Sequence, residues 1–386
     1  MRENYTEIES LYALRQVLSH NETLRHYAFQ SVNFEKSGFP MEKYRFEDCL
    51  FMGCTIPPRM FYAMDEACIV LPRVKMPYKV FPNKLYDAQS LYLHYKPGYH
   101  ETYYTCYDTI VYDRYMAMGK ATSDIKETLC RLLHDHSISN AIEQLVSEYD
   151  EKDIVAVMGG HAVKRTDTQY HQIVDISKRL TEAGKLMISG GGPGAMEAVH
   201  LGAWMAGRSD AEVEDALSIL APTPTFREKG WLTTAWQVMD KYPRDPQFHS
   251  LGIPTWFYGH EPATPFASQI AKFFDNSLRE DCIISLPRGG IIYTPGSAGT
   301  FQEIFQDAAQ NHYKTLGTAS PMVFLGKQYY TEDVPIYSLL RDLQDRGRYQ
   351  NLLLSITDDT GDVIRYLMDF HRPFHPWSGH ASDFEL

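Results

Sequence analysis

Three glycine-rich turns, each directly after a short apolar run, contain the residue types that bind phosphate. We name them the 159 turn (Gly159-Gly160-His161), the 190 turn (Gly190-Gly191-Gly192-Pro193-Gly194) and the 296 turn (Gly296-Ser297-Ala298-Gly299-Thr300). Glycine after a buried strand permits a tight reversal and lets a phosphate contact bare backbone N–H groups at a helix N-terminus. One such turn is equally well explained as an ordinary tight turn. Three in succession, with charged residues nearby, indicate a binding crevice.

The spacing within these turns excludes two common nucleotide sites. Neither the 190 turn nor the 296 turn has the G-x-G-x-x-G spacing of dinucleotide sites or the G-x-x-x-x-G-K-[ST] loop of nucleoside triphosphatases. The pattern therefore disfavours hydride transfer and triphosphate hydrolysis. A single phosphate, as in a nucleoside monophosphate, suits the short 296 turn, because Thr300 adds a hydroxyl donor and the following helix dipole favours an anion.

Two charged residues near the 296 turn could act on such a ligand. Glu303 lies one turn into the helix that Thr300 begins, where it could complement the helix dipole or face the ribose of a bound nucleotide. Facing the ribose, a carboxylate could stabilise an oxocarbenium-like centre or activate water. Arg279, in "DNSLRED", could be a solvated helical charge paired with Asp275 or Glu280, or a fork of donors for phosphate or ribose hydroxyls.

These segments together resemble the LOG (Lonely Guy) phosphoribohydrolases, a family often mislabelled as lysine decarboxylases. Arg279 in "SLRED", followed by "PGSAGTFQE", is similar to the Arg and PGG-x-GT-x-x-E signature of that family. "MGGHAV" and "SGGGPGAMEA" are similar to its longer bacterial branch, the nucleotide 5′-monophosphate nucleosidases. The resemblance covers about residues 152–370. It implies hydrolysis of the N-glycosidic bond of nucleoside 5′-monophosphates to free base and ribose 5-phosphate, without metal or organic cofactor.

The resemblance also implies roles for individual residues. Arg279 and Glu303 match the catalytic arginine and glutamate of the family. The phosphate would be held by Gly296, Ser297, Ala298, Gly299 and Thr300. The nucleotide crevice would be lined from the other two turns by Gly159, Gly160, His161, Gly191, Gly192, Gly194 and Met196. His161 could contact the substrate or cap a helix. Ser297 replaces the second glycine of the family signature, and a positive φ at this serine would cost about 1 kcal/mol.

From residue 152 onward, short apolar strands alternate with amphipathic helices, which is typical of a parallel sheet covered by helices on both faces. Because the carboxyl ends of parallel strands meet at one edge of such a sheet, the three turns should converge on one crevice. The helix in "TDTQYHQIVDISKRLTEAGK" is predicted to end at Gly184. Its buried stripe is predicted to comprise Tyr170, Ile173, Val174, Ser177 and Leu180.

Other segments complete this outline. Residues 208–250 are predicted to form an excursion over the sheet, and "LGIPTWFYG" resumes with a strand. "PMVFLG" and "NLLLSIT" are predicted to be the last strands. A single long helix is predicted from Ala267 to Ser285, on the helical spacing of Ile270, Phe273, Phe274, Leu278 and Cys282.

The predicted fold is α/β: a Rossmann-like parallel sheet with helices on both faces, plus an N-terminal Tyr-rich mixed domain. We expect an N-terminal domain of unknown role at 1–120, a helical linker at 121–150, the LOG-like Rossmann nucleotide-binding catalytic domain at 151–370 and a C-terminal tail at 371–386. "FEDCLFMGC", in the first domain, repeats Phe and Cys at a five-residue offset, as in a pentapeptide coil. A single repeat does not establish such a coil.

Composition limits the class of protein. At 386 residues and 44% hydrophobic content, the chain is long enough for two domains. It has no apolar run approaching the roughly 20 residues of a membrane span, and its N-terminus lacks a secretory signal. We therefore expect a soluble, cytoplasmic protein. Six cysteines without C-x-x-C spacing predict reduced, mostly buried thiols. The net charge of −12 opposes nucleic-acid binding, although backbone N–H groups and one arginine can still bind a small anion.

Alternatives to a nucleosidase remain open at this point. A nucleotide-sensing module of the same fold would bind without turnover, although the presence of both Arg279 and Glu303 counts against it. Amino-acid decarboxylation, the historical label of the family, would need a pyridoxal phosphate lysine, and the three turns contain none. A metal site among the histidines of the tail ranks below these. The resemblance implies a homodimer or a larger homo-oligomer, with a nucleoside monophosphate as substrate.

Overall fold

The computed structural model describes residues 5–259 and 261–370, so the tail predicted at 371–386 and its suggested metal site lie outside the described residues. The strands, in chain order, are β1 (Thr6–Ile8), β2 (Thr23–Arg25), β3 (Tyr27–Gln30), β4 (Arg45–Glu47), β5 (Leu50–Met52), β6 (Ile69–Leu71), β7 (Ile154–Met158), β8 (Leu186–Ser189), β9 (Ser250–Gly252), β10 (Gln269–Ile270), β11 (Ile291–Tyr293), β12 (Pro321–Leu325) and β13 (Leu353–Thr357). The α-helices are α1 (Leu11–His20), α2 (Ala88–Leu91), α3 (Tyr107–Met118), α4 (Ile125–Val146), α5 (Thr168–Glu182), α6 (Ala195–Trp204), α7 (Asp210–Leu220), α8 (Trp231–Lys241), α9 (Asn276–Ser285), α10 (Ala298–Tyr313), α11 (Ile336–Asp345) and α12 (Thr360–Phe370).

The chain divides into two compact units. The first unit is built from the described parts of Met1–Glu148, Ile253–Pro265 and Gln269–Arg279. The second unit is built from those of Tyr149–Gly252, Phe266–Ser268 and Glu280–Leu386. Within the described ranges, no helix is long and apolar enough to cross a membrane. All six cysteines are free thiols, four of them buried, as predicted.

The second unit contains a parallel sheet of the Rossmann type. Six of its strands are hydrogen-bonded in the order β9-β8-β7-β11-β12-β13, and every pairing is parallel. The chain runs outward from β7 through β8 to β9, then returns to β11 on the other side of β7. This reversal is the topological switch of a doubly wound sheet, where ligands bind beyond the carboxyl ends of the strands. The predicted α/β fold class, with helices on both faces, is confirmed.

The sheet forms because its strands are buried along their length. Every residue of β7 and of β12 is buried, as expected of parallel strands covered on both faces. Their side chains share one core with the covering helices: Val157, Val174, Val199, Val323 and Leu367. The predicted stripe of α5 is buried throughout, and Gly184 ends that helix with a φ of +87°.

The structure specifies two segments that the sequence only outlined. The excursion over residues 208–250 consists largely of α7 and α8, and a capping box between Ser209 and Glu212 starts α7. Asp210, Glu214 and Asp240 occupy exposed positions of these two helices. The strand predicted in "LGIPTWFYG" is confined to the start of that segment, because β9 ends at Gly252.

The long helix predicted from residue 267 is wrong in its first half, because α9 begins at Asn276. Ile270 is extended and exchanges two backbone hydrogen bonds with Tyr86, at N···O distances of 2.7 and 2.9 Å. The carboxylate of Asp275 then accepts backbone N–H groups from the start of α9. The apolar residues before Asp275 are buried, and burial alone produced a spacing that resembles a helix.

A short parallel β-solenoid begins the first unit. Strands β1, β3, β5 and β6 form one parallel sheet, and β2 and β4 form another. Phe29 pairs with Phe51, and Leu24 pairs with Phe46, so a turn of the solenoid takes 22 residues (29 to 51 and 24 to 46). The rings of Phe29 and Phe51 stack with centroids 5.0 Å apart. Phe34 and Phe46 are buried with them in the core of these coils.

The five-residue offset in "FEDCLFMGC" corresponds to successive sides of this solenoid. Phe46 and Phe51 are both fully buried in its core. The thiols of Cys49 and Cys54 donate to carbonyl oxygens of the preceding coil, at Leu24 and Phe29, each at 3.3 Å. The coil is therefore stabilised by repeated side chains at every fifth position rather than by long strands.

Buried polar contacts attach the returning segments of the first unit. Lys272 Nζ lies 2.7 Å from Asp108 Oδ1, and both side chains are almost completely buried. The carboxylate of Asp135, on α4, accepts the backbone N–H groups of Phe274 and Asp275. A buried carboxylate with several donors is costly to disrupt, so these contacts fix the chain just before α9.

Candidate functional site

The 159 turn follows β7 and lies against the 296 turn. The N–H of Gly160 donates to Pro295 O at 3.3 Å. A Cβ atom on Gly159 would collide with Thr294 Oγ1, and one on Gly160 would lie 3.5 Å from the Cα of Gly296. Glycine is therefore required at residue 159 by the close approach of two strand ends, before any ligand is considered.

The 190 turn packs against the other side of the 159 turn. Gly194 has a φ of +71°, and a Cβ atom there would lie 2.6 Å from His161 O and 2.7 Å from Gly160 O. The N–H of Ala195, the first residue of α6, donates to Gly160 O at 3.1 Å. All three turns thus meet beyond the carboxyl ends of β7, β8 and β11. The prediction that they converge is confirmed, while their role in binding stays a prediction.

The 296 turn presents an uncapped helix end. Ser297 is the N-cap of α10, with an extended φ of −137°, and its side chain accepts no capping hydrogen bond. The positive φ considered for this serine is therefore absent, and so is its energetic cost. Ser297, Ala298 and Gly299 are exposed. The first N–H groups of a helix have no intrahelical acceptor, so these groups are available to an anion.

Thr300 and Gly296 form the inner part of this turn. A Cβ atom on Gly296 would collide with Thr300 Oγ1, so only glycine fits beneath the threonine. Thr300 is 5% exposed, and its hydroxyl has no hydrogen-bond partner in the part of the chain that the structure describes. A Cβ atom on Gly299 would meet nothing within 4 Å, so open space lies above the helix end.

Tyrosines that sequence reasoning missed hold the 296 turn from behind. Tyr329 Oη donates to Gly296 O at 2.6 Å, and Tyr330 Oη donates to Thr294 O at 2.7 Å. Both lie in a π-helical turn, Tyr329–Asp333, that follows β12. The pair "YY" after a strand carries no signal for such a role, because the carbonyls that it contacts are more than thirty residues away in sequence.

A buried hydrogen-bond chain holds the 190 turn. Ser189 Oγ donates to Met196 O at 3.1 Å and accepts the N–H of Gly191 at 3.2 Å. His200 joins Ser189 Oγ, at 2.8 Å, to Ser250 Oγ on β9, at 2.9 Å. Burial lowers the pKa of His200 to about 3, so the imidazole is neutral at physiological pH. His200 therefore supports the backbone of the turn and does not serve as a charged group.

A buried ion pair anchors the segment after the 159 turn. Arg165 contacts both carboxylate oxygens of Glu197, on α6, at 2.9 and 2.5 Å. Its guanidinium also lies 4.9 Å from the ring centroid of Trp231 and donates to the carbonyl of that residue. Because all the charges are paired, this cluster is structural, and it fixes the start of α6 relative to the 159 turn.

The two charged residues predicted to act on the ligand are Arg279 on α9 and Glu303 on α10, two helices that follow each other in the sequence. Arg279 is 9% exposed on α9, and its Nε donates to Ile253 O at 2.9 Å. The alternative of a solvated charge paired with Asp275 or Glu280 is therefore wrong. In the described ranges, the terminal guanidinium nitrogens of Arg279 have no hydrogen-bond partner.

Glu303 is half-buried on α10, one turn beyond Gly299. Gln302 Nε2, next to Glu303, donates to Glu280 Oε2 at 2.6 Å, and both residues belong to the second unit. Arg279 belongs to the first unit and Glu303 to the second. Their joint action on one ligand stays a prediction.

The remaining predicted residues differ in exposure. Gly191 and Gly192 are buried, Met196 is half-buried and His161 is exposed. The ring of His161 has no hydrogen-bond partner within the described residues, so it caps no helix there. Sequence reasoning missed a fourth glycine, Gly252 at the end of β9, where a Cβ atom would lie 3.1 Å from the Cα of Gly191.

Comparison with known proteins adds three solved structures. No family model matches the chain, and no curated protein matches it in sequence. The molybdenum cofactor binding protein of the phototrophic bacterium Rippkaea orientalis is 15% identical, with a TM-score of 0.36 over 56% of this chain and 96% of its own. The protein TM1055 is 17% identical, with a TM-score of 0.37 over 56% and 98%. The molybdenum cofactor carrier protein of Chlamydomonas reinhardtii is 15% identical, with a TM-score of 0.32 over 56% and 98%. Similarities of this size assign no function.

Proposed function

We propose that this protein hydrolyses the N-glycosidic bond of nucleoside 5′-monophosphates, releasing the free base and ribose 5-phosphate. The observation that carries the proposal is the meeting of three glycine turns at the switch point of a Rossmann-type sheet, beside an uncapped helix that bears Glu303 in its second turn. The resemblance of "SLRED" and "PGSAGTFQE" to the LOG signature supports the same reaction.

In this proposal the 296 turn holds the 5′-phosphate. The free N–H groups at the start of α10 and the unpartnered hydroxyl of Thr300 supply hydrogen bonds, and the helix dipole favours the negative charge. Open space above Gly299 leaves room for the phosphate oxygens. Arg279, whose terminal donors are unoccupied by described residues, contributes positive charge to phosphate or ribose hydroxyls.

Glu303 acts on the ribose. Its carboxylate accepts a proton from a water molecule whose oxygen forms a bond to C1′ as the bond from C1′ to the base nitrogen breaks. The electron pair of the broken bond leaves with the base, which takes up a proton. While the charge on the sugar is oxocarbenium-like, the same carboxylate stabilises it electrostatically. We expect the reaction to take place in a homodimer or a larger homo-oligomer, as the resemblance implies.

The proposal is tested by incubating purified protein with AMP, GMP, CMP, UMP and IMP and measuring free base and ribose 5-phosphate. We expect turnover of at least one of these, and loss of about 10²- to 10⁴-fold in kcat for Glu303→Gln, because the amide cannot accept the proton. Glu332→Gln, at an exposed glutamate, is the matched control and should retain activity.

If the wild-type protein releases no more base than Glu303→Gln does, the proposed reaction is wrong. Calorimetric binding of a monophosphate without release of base would instead support the nucleotide-binding alternative.

A further inference from the structure

A cleft in the first unit has the composition of an anion-binding site. Its volume is 790 Å³, which lies in the usual range for small-molecule sites. One wall carries Arg73, Lys75 and Lys79, and the described residues that line the cleft include no aspartate or glutamate. We propose that this cleft binds a small anion carrying two or more negative charges, such as a polyphosphate. This site is separate from the glycine turns and is built only from residues of the first unit.

The floor of the cleft is a polar side of the solenoid. Asn33 and Thr55 pair with each other on adjacent coils, so their side chains project to the same side. The side-chain oxygen of Asn33 accepts the N–H of Glu35 at 3.0 Å. The amide nitrogen of Asn33 and the hydroxyl of Thr55 have no partner in the described ranges. They are donors that an anion could occupy.

The segment that follows Lys79 is attached to the solenoid at Phe81 and Pro82. Ser31 Oγ donates to Phe81 O at 2.8 Å, and the buried amide of Gln30 donates to Pro82 O at 2.7 Å. Gly53 has a φ of +64°, and a Cβ atom there would lie 2.5 Å from the ring of Phe81. The end of the segment that carries the three cations is therefore held against the solenoid at Phe81 and Pro82 by packing and hydrogen bonds.

Charge distinguishes this cleft from ordinary solvated surface. The chain has a net charge of −12, yet the side chains of Arg73, Lys75 and Lys79 form no ion pair with any described residue. Another cleft on the same solenoid contains Arg45 and Arg59, but it is also lined by the acidic side chains of Glu42, Glu47 and Asp65, which balance their charge.

Three unbalanced cations around one concave surface of an acidic protein create a local positive potential, which favours an anion of more than one charge. Arginine and lysine with hydroxyl and amide donors are the groups that bind phosphate oxygens in proteins.

The test uses the full-length protein and calorimetric titration with tripolyphosphate, citrate and inorganic phosphate. We expect saturable binding of tripolyphosphate that weakens as salt is raised, and weaker binding of inorganic phosphate. Binding of citrate as strong as that of tripolyphosphate would show that the cleft recognises charge. Much weaker binding of citrate would show that it recognises phosphoryl groups. Either result supports the proposal, whereas absence of tripolyphosphate binding at low salt overturns it.

Matched variants locate the site. Arg73→Gln, Lys75→Gln and Lys79→Gln combined should weaken tripolyphosphate binding by about tenfold or more. The same charge change at three exposed lysines that do not line the cleft, Lys36→Gln, Lys43→Gln and Lys126→Gln, should leave binding within about twofold of wild type. Equal losses in the two triple variants would overturn the proposal. Binding that survives the first triple variant, as binding at the glycine turns would, also overturns it.

Asn33→Asp provides a second variant that should preserve the fold. It keeps the oxygen that accepts the N–H of Glu35 but places a negative charge on the floor of the cleft. We expect weaker tripolyphosphate binding with an unchanged thermal midpoint. Unchanged binding in Asn33→Asp would contradict the placement of the anion on this floor.

Discussion

At the residue scale, Ser297 is the position where the chain departs from the LOG signature, and its backbone conformation does not require glycine. The serine adopts an extended φ of −137°, which any residue tolerates. The glycine of the signature is therefore not needed here for conformational reasons. The hydroxyl makes no capping bond, so the serine also contributes little to the stability of α10.

Ser297→Gly tests this directly. Because no positive φ has to be relieved, we expect no gain in stability, and a loss of a few tenths of a kcal/mol because glycine is freer in the unfolded chain. Urea denaturation measures the free energy of unfolding, and kcat/KM with a nucleoside monophosphate should stay within about twofold of wild type. Stabilisation by about 1 kcal/mol would show that the serine is strained after all.

Single residues of the site were predictable where only one residue type fits. Gly159 and Gly194 stand out in the sequence because both belong to glycine-rich turns that come after apolar runs, and the structure requires glycine at both because backbone or side-chain atoms approach closely. The chain Ser189, His200 and Ser250 was not predictable, because its members lie 11 and 50 residues apart and no local pattern links them. Such contacts depend on the parallel pairing of β8 with β9.

At the element scale, the π-helical turn Tyr329–Asp333 positions the 296 turn. Tyr329→Phe removes the hydrogen bond to Gly296 O but keeps the ring. We expect KM for a nucleoside monophosphate to rise about fivefold, which corresponds to about 1 kcal/mol for one hydrogen bond, while kcat changes little. Steady-state kinetics measures both constants. Tyr313→Phe, at an exposed tyrosine on the same unit, should leave KM unchanged.

A fall in kcat with an unchanged KM for Tyr329→Phe would contradict this role, because it would place the tyrosine at the reacting ribose and not behind the phosphate. A fall in KM would also contradict it, since phenylalanine adds no donor.

Whether a helix could be predicted from its apolar residues depended on why those residues are buried. The stripe of α5 was correct because one face of that helix packs on the sheet and the other faces solvent. In contrast, the residues before α9 are apolar because both sides are covered, and a periodicity derived from uniform burial cannot distinguish a helix from extended chain. Asp275, a capping residue in the middle of the predicted helix, was the local signal for the true start.

At the scale of the whole molecule, the chain joins two architectures with different periods. The sheet of the second unit follows from buried strands alternating with helices, and its order could be anticipated from the general rules for parallel sheets. The strands of the solenoid in the first unit are only three or four residues long, so buried side chains at a five-residue offset give a weak signal in the sequence. Successive coils contact each other through residues that are 22 positions apart in the sequence, and no local propensity predicts such contacts.

The stability of the whole chain should carry a pH dependence that originates in Asp307. This residue is fully buried on α10, where it accepts a hydrogen bond from Tyr293 Oη at 2.8 Å. Burial raises its pKa from 3.8 to about 7. Between about pH 4 and pH 7 the folded chain keeps a proton that the unfolded chain has released. The contribution of Asp307 to stability therefore decreases as the pH rises through this window and is constant above it.

Asp307→Asn removes this dependence while keeping an oxygen that can accept the hydrogen bond from Tyr293. Relative to wild type, we expect the variant to gain stability as the pH rises from 5 to 8, by an amount on the order of 2–4 kcal/mol at the upper end. Urea denaturation at pH 5, 6, 7 and 8 measures the difference, with Asp333→Asn, at an exposed aspartate, as the control. A difference between Asp307→Asn and wild type that does not change with pH would show that Asp307 is ionised in the folded chain, because an ionised carboxylate at its ordinary pKa gains and loses its proton equally in both states.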